Sequence, residues 1–415
     1  MNNLQIAEHG RIYKDKIGEK AFAELVDFAH GDGNDKFIGF INSHTLKAKN
    51  FVGLIQTKSG FVLEILPKIF DRDKDDKFKD KEEENSKNLL IKMLKTLKNS
   101  PFKHTQMANL QTRKNFPLLE IFANMFLDAL DIIIKSGIKN SYVAISQNRH
   151  FLKGKLLFNE HLKQNLTHKE RFYTNADEFI ADIPENRIIV SALNLLFGLS
   201  FGVKTNARLT RAKFIFSDIL GSKNLDSDFA KCLNSRHFSR YEVVLAWCRV
   251  FLKKESFTQY SGSDKAFALL CDMNLLFESF VGHCFKKFGG AWEIKLQSRG
   301  KYLLKDENEN NISQMKPDIL ATNGEKCVIL DTKWKIIKDM KNDISQGDLY
   351  QIFAYTEKFK SQKNVLIYPK IGDFNGETKY FYKANNKELE IYFFDLFDNE
   401  KMKEQIKEIL GGENE

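Results

Sequence analysis

Residues 316–335, KPDILATNGEKCVILDTKWK, decide how this chain is read. Val328, Ile329 and Leu330 form an unbroken apolar run ahead of Asp331-Thr332-Lys333, the pattern of a central strand buried on both faces. Lys316-Pro317-Asp318 opens an earlier strand, expected over 318–321, and Asn323-Gly324 between the two is a two-residue hairpin signal. Antiparallel pairing through that turn brings Asp318 towards Asp331. Side chains alternate along a strand, so Asp331 and Lys333 point the same way. Two carboxylates and an ammonium are thus expected to converge. Hard carboxylate oxygens suit Mg2+, which polarises a phosphate and lowers the pKa of an attacking water. A lysine alongside orients that water or offsets the charge that develops. The bland alternative is a strand-end ion pair between Asp331 and Lys333.

The flanks extend the pattern. A helix is expected over 266–288, ending at Gly289-Gly290. In MNLLFESFVGHCF, Glu278 is the one acidic residue among apolar neighbours, with Leu275, Leu276, Ser279 and Phe280 read as the packed face. It is a candidate third carboxylate ligand. Strands are expected at 292–297, 302–304 and 326–333, a helix at 347–359 and a strand at 364–368. On that helix Asp348, Gln351 and Tyr355 share a face at i, i+3, i+7, opposite Leu349, Ile352 and Phe353. Gln351 is placed to touch a bound water or a DNA backbone, and Tyr355 a phosphate. Residues 265–415 therefore read as a small α/β domain.

Further towards the N-terminus, residues 1–70 read as strands, among them 36–42, 51–56 and FVLEILPKI at 61–69 after a Lys58-Ser59-Gly60 turn. The block 71–87, DRDKDDKFKDKEEENSK, reads as a solvated charged loop. Helical periodicity marks 88–98 and 118–135. Residues 141–175 are basic, and 176–260 read as mostly helical, followed by a linker, QYSGSD, at 259–264. The expected division is 1–175, mixed and β-rich; 176–260, helical; and 265–415.

Composition sets the limits. The chain has 415 residues, net charge +9, 42% hydrophobic and 29% charged residues, which excludes wholesale disorder and is compatible with a polyanionic partner. Five scattered cysteines without C-x2-C spacing indicate neither a zinc site nor a redox motif. The start lacks a signal-peptide pattern, and the longest apolar stretch is too short to span a bilayer, so a cytoplasmic protein is expected. The histidines form no H-E-x-x-H or other metal spacing.

Pro317-Asp318 followed by Asp331-Thr332-Lys333 resembles the PD-(D/E)xK nuclease motif. MNLLFESFV, KPDIL, VILDTKWK and DLYQIFAY, in this order, resemble the McrC family, the nuclease subunits of McrBC-type restriction systems. FVGLIQTKSGFVLEILPKI, RHFLKGKL and DEFIADIPENRIIVSAL extend the likeness over about residues 51–370, with Arg149, Gly154, Lys155, Asn186 and Arg187 at matching places. The charged block 71–87, and Ile352 and Phe353 where Met and Tyr are frequent, depart from the pattern.

The resemblance implies an α+β multidomain protein: a β-rich and helical N-terminal partner-binding region followed by an α/β PD-(D/E)xK endonuclease domain. It implies an AAA+ GTPase hexamer, McrB-like, as partner and double-stranded DNA, often with methylated cytosine, as substrate. Carried onto this sequence, Asp318 and Asp331 are Mg2+ ligands, Glu278 a supporting acid, Lys333 the catalytic lysine, Gln351 an accessory polar group and Tyr355 a weaker candidate. GTP belongs to the partner, for this chain has no G-x-x-x-x-G-K-[ST]. Arg113, Arg149 and Arg171 are candidate contacts for stimulating that GTPase. The alternatives are a non-catalytic adaptor of the GTPase and a stand-alone nuclease of the same fold.

Overall fold

The apolar runs at 51–66 and 326–332 become the centres of two sheets. The computed structural model describes residues 3–69, 80–98, 100–104, 116–232, 239–253, 258–260, 266–339, 342–371, 379–382 and 387–411. The chain forms two compact units, Met1–Lys103 with Ser256–Glu415, and His104–Glu255. These divisions follow chain pairing and differ from the compositional ones at 175 and 260. Among the described residues no helix is long and apolar enough to cross a membrane.

In the first unit, Phe51–Thr57 and Val62–Leu66 form the expected hairpin, and every residue of the second strand is buried. Asn3–Ala7 joins Val62–Leu66 in parallel, and Ala266–Asp272 pairs antiparallel with Phe51–Thr57. With Thr258–Tyr260 this makes a five-stranded sheet. The helix expected over 266–288 is therefore corrected to Met273–Phe288. An unbroken apolar run is compatible with either structure, and the sheet partner decides. Asp272 fixes the helix start: its carboxylate accepts the Asn274 N–H at 2.8 Å and a bond from Asn50 Nδ2 at 3.3 Å.

Two further corrections concern residues read as strand or loop. Glu19–Ala29 is a helix, burying Phe22, Leu25 and Phe28 against Ile55, Leu63 and Ile65. Within the charged block, residues 71–79 lie outside the described residues, but Asp80–Leu94 is helical. Lys87 anchors it, 2.6 Å from Glu83 one turn back and 3.5 Å from the buried Glu64. In the proposed linker, Gln259 and Tyr260 belong to a strand, and 261–264 lie outside the described residues.

The C-terminal sheet has the order Glu293–Leu296, Ile319–Asn323, Lys326–Thr332, Lys363–Pro369, Glu388–Phe394, Lys379–Phe381. Lys326–Thr332, Lys363–Pro369 and Glu388–Phe394 run parallel, and the remaining pairs are antiparallel. The helix Gln346–Phe359 makes the crossover between two parallel strands, as parallel pairing requires. It buries Ile352 against Leu366, Tyr368 and Ile391. Phe285 of Met273–Phe288 stacks on Phe394 at 6.5 Å, and Cys284 meets Met402 of the helix Asn399–Ile409.

The second unit, His104–Glu255, combines helices such as Leu118–Ser136, Pro184–Phe197 and Ser239–Leu252 with a three-stranded sheet. In that sheet Ser141–Arg149 pairs antiparallel with Phe172–Ile180.

Gly53 carries a local constraint of the first sheet. Its φ is +133°, and an added Cβ would stand 2.1 Å from the Leu269 carbonyl oxygen. Gly53→Ala is expected to destabilise the protein by about 2–4 kcal/mol through strain and overpacking. Chemical denaturation measures this; an unchanged midpoint would show that the strand pair accommodates the methyl group.

Candidate active site

The site starts from the hairpin register. Ile319 faces Leu330 and Asn323 faces Lys326 across a Gly324-Glu325 turn, one residue on from the expected Asn323-Gly324, so Asp318 and Asp331 come next at the open end. Thr332 holds the first carboxylate: its backbone N–H and its hydroxyl each donate to Asp318 Oδ2 at 2.7 Å. Asp331 is 1% exposed, with Oδ2 2.5 Å from Lys333 Nζ. That contact lacks hydrogen-bond geometry, and this buried oxygen makes no hydrogen bond.

The helix Gln346–Phe359 supplies the next layer. Gln351 Oε1 accepts from Lys333 Nζ at 3.0 Å, and Gln351 Nε2 donates to Tyr355 Oη at 2.9 Å. Tyr355 Oη donates to the Lys316 carbonyl at 3.3 Å, closing a chain back to the Pro317-Asp318 strand. Tyr355 is thus built into the support, packed with Met315, Ile329 and Phe359. Asp348 is held by Lys335 at 2.6 Å. On Met273–Phe288 the packed residues include Leu276, Phe277 and Phe280, while Leu275 is exposed. Glu278 lies near enough to Asp318 to feel its charge.

Gln297 belongs to this site and carries no sequence signal. Its backbone N–H donates to the Asp318 carbonyl at 2.8 Å, and its side chain donates to Glu278 Oε1 at 2.6 Å. It adopts φ +48°, a left-handed conformation that a side chain normally avoids. Thr332, the spacer of D-x-K, was likewise unmarked as the clamp on Asp318.

Burial and Asp318 push the Asp331 carboxyl up to about 7, against the pull of Lys333. Burial and Asp318 also raise Glu278. Burial works to lower Lys333, but Asp331, Asp318 and Asp348 outweigh it and raise the lysine, which stays cationic at neutral pH. Among the described residues no three His, Cys, Asp or Glu side chains form a ready metal-binding group. A divalent cation still suits the donors present: hard oxygens on mutually repelling carboxylates, one of them buried.

The candidate arginines have different environments. Arg149 is committed to the fold, bonding the Thr174 carbonyl and hydroxyl and Glu178. Arg171 lies 3.9 Å from Glu170, and Arg113 is outside the described residues.

A carboxyl raised on folding costs stability above its folded pKa; the cost declines as pH falls through about 7 and vanishes below the ordinary carboxylate range. Asp331→Asn is therefore expected to raise the melting temperature at pH 8 by about 2–4 °C, with the gain shrinking towards pH 4. Melting curves across this range test it, and a loss of stability at pH 8 would refute the sign.

Residues 46–369 match the family model described as McrBC 5-methylcytosine restriction system component. Among solved structures, a chain of the refined half-complex from the tetradecameric assembly of Thermococcus gammatolerans McrB AAA+ hexamers with bound McrC is similar. Its TM-score is 0.73 at 19% identity, covering 98% of this chain and 100% of that one. A chain of the cryo-EM structure of the Thermococcus gammatolerans McrBC complex matches with TM-score 0.52 at 19% identity, over 73% of this chain and 90% of that one. At such identity the likeness is one of fold. No curated protein matches the sequence. Since the family model spans well over half of the sequence, the chain belongs to the McrBC 5-methylcytosine restriction system component family.

Proposed function

We propose that this chain is the DNA-cleaving subunit of a modification-dependent restriction system, an endonuclease that hydrolyses phosphodiesters of double-stranded DNA with Mg2+. The observation that carries the proposal is the convergence of Asp318, Asp331 and Lys333 at the carboxyl end of a buried strand. In this reading the N-terminal region binds a partner and residues 265–415 form the PD-(D/E)xK endonuclease domain. Asp318 and Asp331 hold the metal and Glu278 supports them. A bound Mg2+ supplies Lewis acidity at the scissile phosphate and neutralises developing charge. Lys333, cationic and oriented by Gln351, donates to a phosphoryl oxygen or an attacking water; its raised pKa makes it a poor general base.

The solved relative from Thermococcus gammatolerans is described as McrC bound to McrB AAA+ hexamers. The same assembly is proposed here, with the GTPase partner binding and hydrolysing GTP, stimulated by this chain. Modified cytosine in DNA is the proposed target, in keeping with the family description.

The decisive experiment mixes the chain with its AAA+ partner, GTP, Mg2+ and methylated or unmethylated plasmid. Wild-type protein is expected to cut, and Asp331→Ala and Lys333→Ala to lose at least about 100-fold in rate. Mg2+ alone should raise the melting temperature of the wild type and not of Asp331→Ala. Equal cutting by both variants would end the nuclease assignment. No cutting by the wild type, with GTP hydrolysis still stimulated, would point to an adaptor instead.

A further inference from the structure

Residues 333–337 follow the Asp331 strand and belong to no strand or helix; the Lys333 N–H still donates to the Ile367 carbonyl at 2.9 Å, and the backbone leaves the sheet after it. Beyond Lys333 the segment is held by Trp334, by the Lys335–Asp348 ion pair at 2.6 Å and by the buried Ile337. The Trp334 indole N–H donates to Glu8 Oε1 at 2.5 Å, joining residues 326 positions apart. Its ring packs against Phe277 at 5.3 Å with an interplanar angle of 61°. Phe277 is the neighbour of Glu278, and Trp334 the neighbour of Lys333. One indole therefore touches the helix that carries the supporting acid and directly follows the lysine.

Glu8 is equally constrained. It follows the strand Asn3–Ala7, is 2% exposed, and its backbone N–H donates to Leu66 O at 2.9 Å. Oε1 also accepts the Lys68 N–H at 3.0 Å, while the buried Oε2 has no hydrogen-bond partner. A buried carboxylate with one orphaned oxygen is a poor device for stability alone. Nothing in the proposed hydrolysis uses it directly.

We propose that Glu8 is a positioning residue for Lys333: through the Trp334 indole it holds the segment after the catalytic strand in register with the helix bearing Glu278. This rests on the nuclease reading above. It makes the residue after the first strand part of the cleavage machinery, although no residue before Glu278 was a candidate for the cleavage site from sequence.

The test compares wild type, Asp331→Ala, Glu8→Ala, Glu8→Gln and Trp334→Phe in the reconstituted cleavage assay with the AAA+ partner, alongside melting temperature and tryptophan emission. Cutting by wild type that Asp331→Ala abolishes secures the nuclease reading independently. Glu8→Ala and Trp334→Phe are then expected to lower kcat about tenfold or more, with KM for DNA unchanged. Glu8→Gln, which keeps an acceptor for the indole, restores kcat to within about threefold. Trp334 emission, taken as the difference from Trp334→Phe, shifts in Glu8→Ala and returns in Glu8→Gln. Wild-type kcat in Glu8→Ala would overturn the proposal. So would equal loss of kcat in Glu8→Gln and Glu8→Ala with wild-type melting temperatures. If Glu8→Ala does not fold, Glu8→Gln and Trp334→Phe still decide between the outcomes. A wild type that does not cut overturns the nuclease reading and this proposal together.

Discussion

Two hydrogen bonds from Thr332 to a single oxygen of Asp318 hold together a pair of like charges that would otherwise separate. The hairpin register leaves Asp318 and Asp331 as neighbours at the open end of two strands. Strand pairing is set by the apolar residues Ile319, Ala321, Val328 and Leu330, all buried, and a slip of one residue would turn that set to the wrong face. The sheet core therefore fixes a position that electrostatics alone would disfavour. The backbone N–H and hydroxyl of Thr332 offset part of that repulsion, and Lys333 offsets more from the other side.

The remaining features follow from that crowding. A carboxylate buried beside another is raised, and the raised Asp331 and Glu278 report the same tension. A lysine facing such a cluster keeps its proton, which directs it towards charge stabilisation. Gln351 and Tyr355 then have a mechanical role, linking the ammonium to the opposite strand through the Lys316 carbonyl. Such an arrangement is unfavourable for the fold by itself, and under the proposed function it is the usual relation between stability and activity.

Sequence showed the part of this that rests on local rules. Asn323-Gly324 marked the turn to within one residue, alternation paired Asp331 with Lys333, and helical spacing put Gln351 and Tyr355 on one face. The structure brings Asp318, Asp331, Lys333, Gln351 and Tyr355 together along one connected set of contacts. What stayed hidden depends on pairing between distant residues. Ala266–Asp272 is a strand because Phe51–Thr57 lies beside it, and its apolar run is as well suited to a helix. Helix Glu19–Ala29 was hidden among segments read as strands. Gln297 reaches Asp318 because Leu296 pairs with Ile319, and a lone glutamine has no motif to announce it. Thr332 occupies the variable position of its motif, where only the three-dimensional register reveals its use.

That dependence on distant pairing also bears on when the site can form. Phe51–Thr57 has Val62–Leu66 available on one side as soon as both are made, but its other edge waits for Ala266–Asp272. Closing so long a loop costs little more free energy than closing one half its length, because the entropy grows only with the logarithm of length. It is nonetheless slow, since non-local pairs must be found before they are rewarded. The strand bearing Asp331 depends in turn on Lys363–Pro369 and on the crossover helix that carries Gln351. The carboxylate pair thus acquires its fixed geometry only after the strand Lys363–Pro369 has been synthesised. During synthesis the exposed edge of Phe51–Thr57 is the vulnerable feature, because an unpaired apolar strand invites association with other chains. The parallel strand Asn3–Ala7 leaves that edge open, since it covers Val62–Leu66 instead.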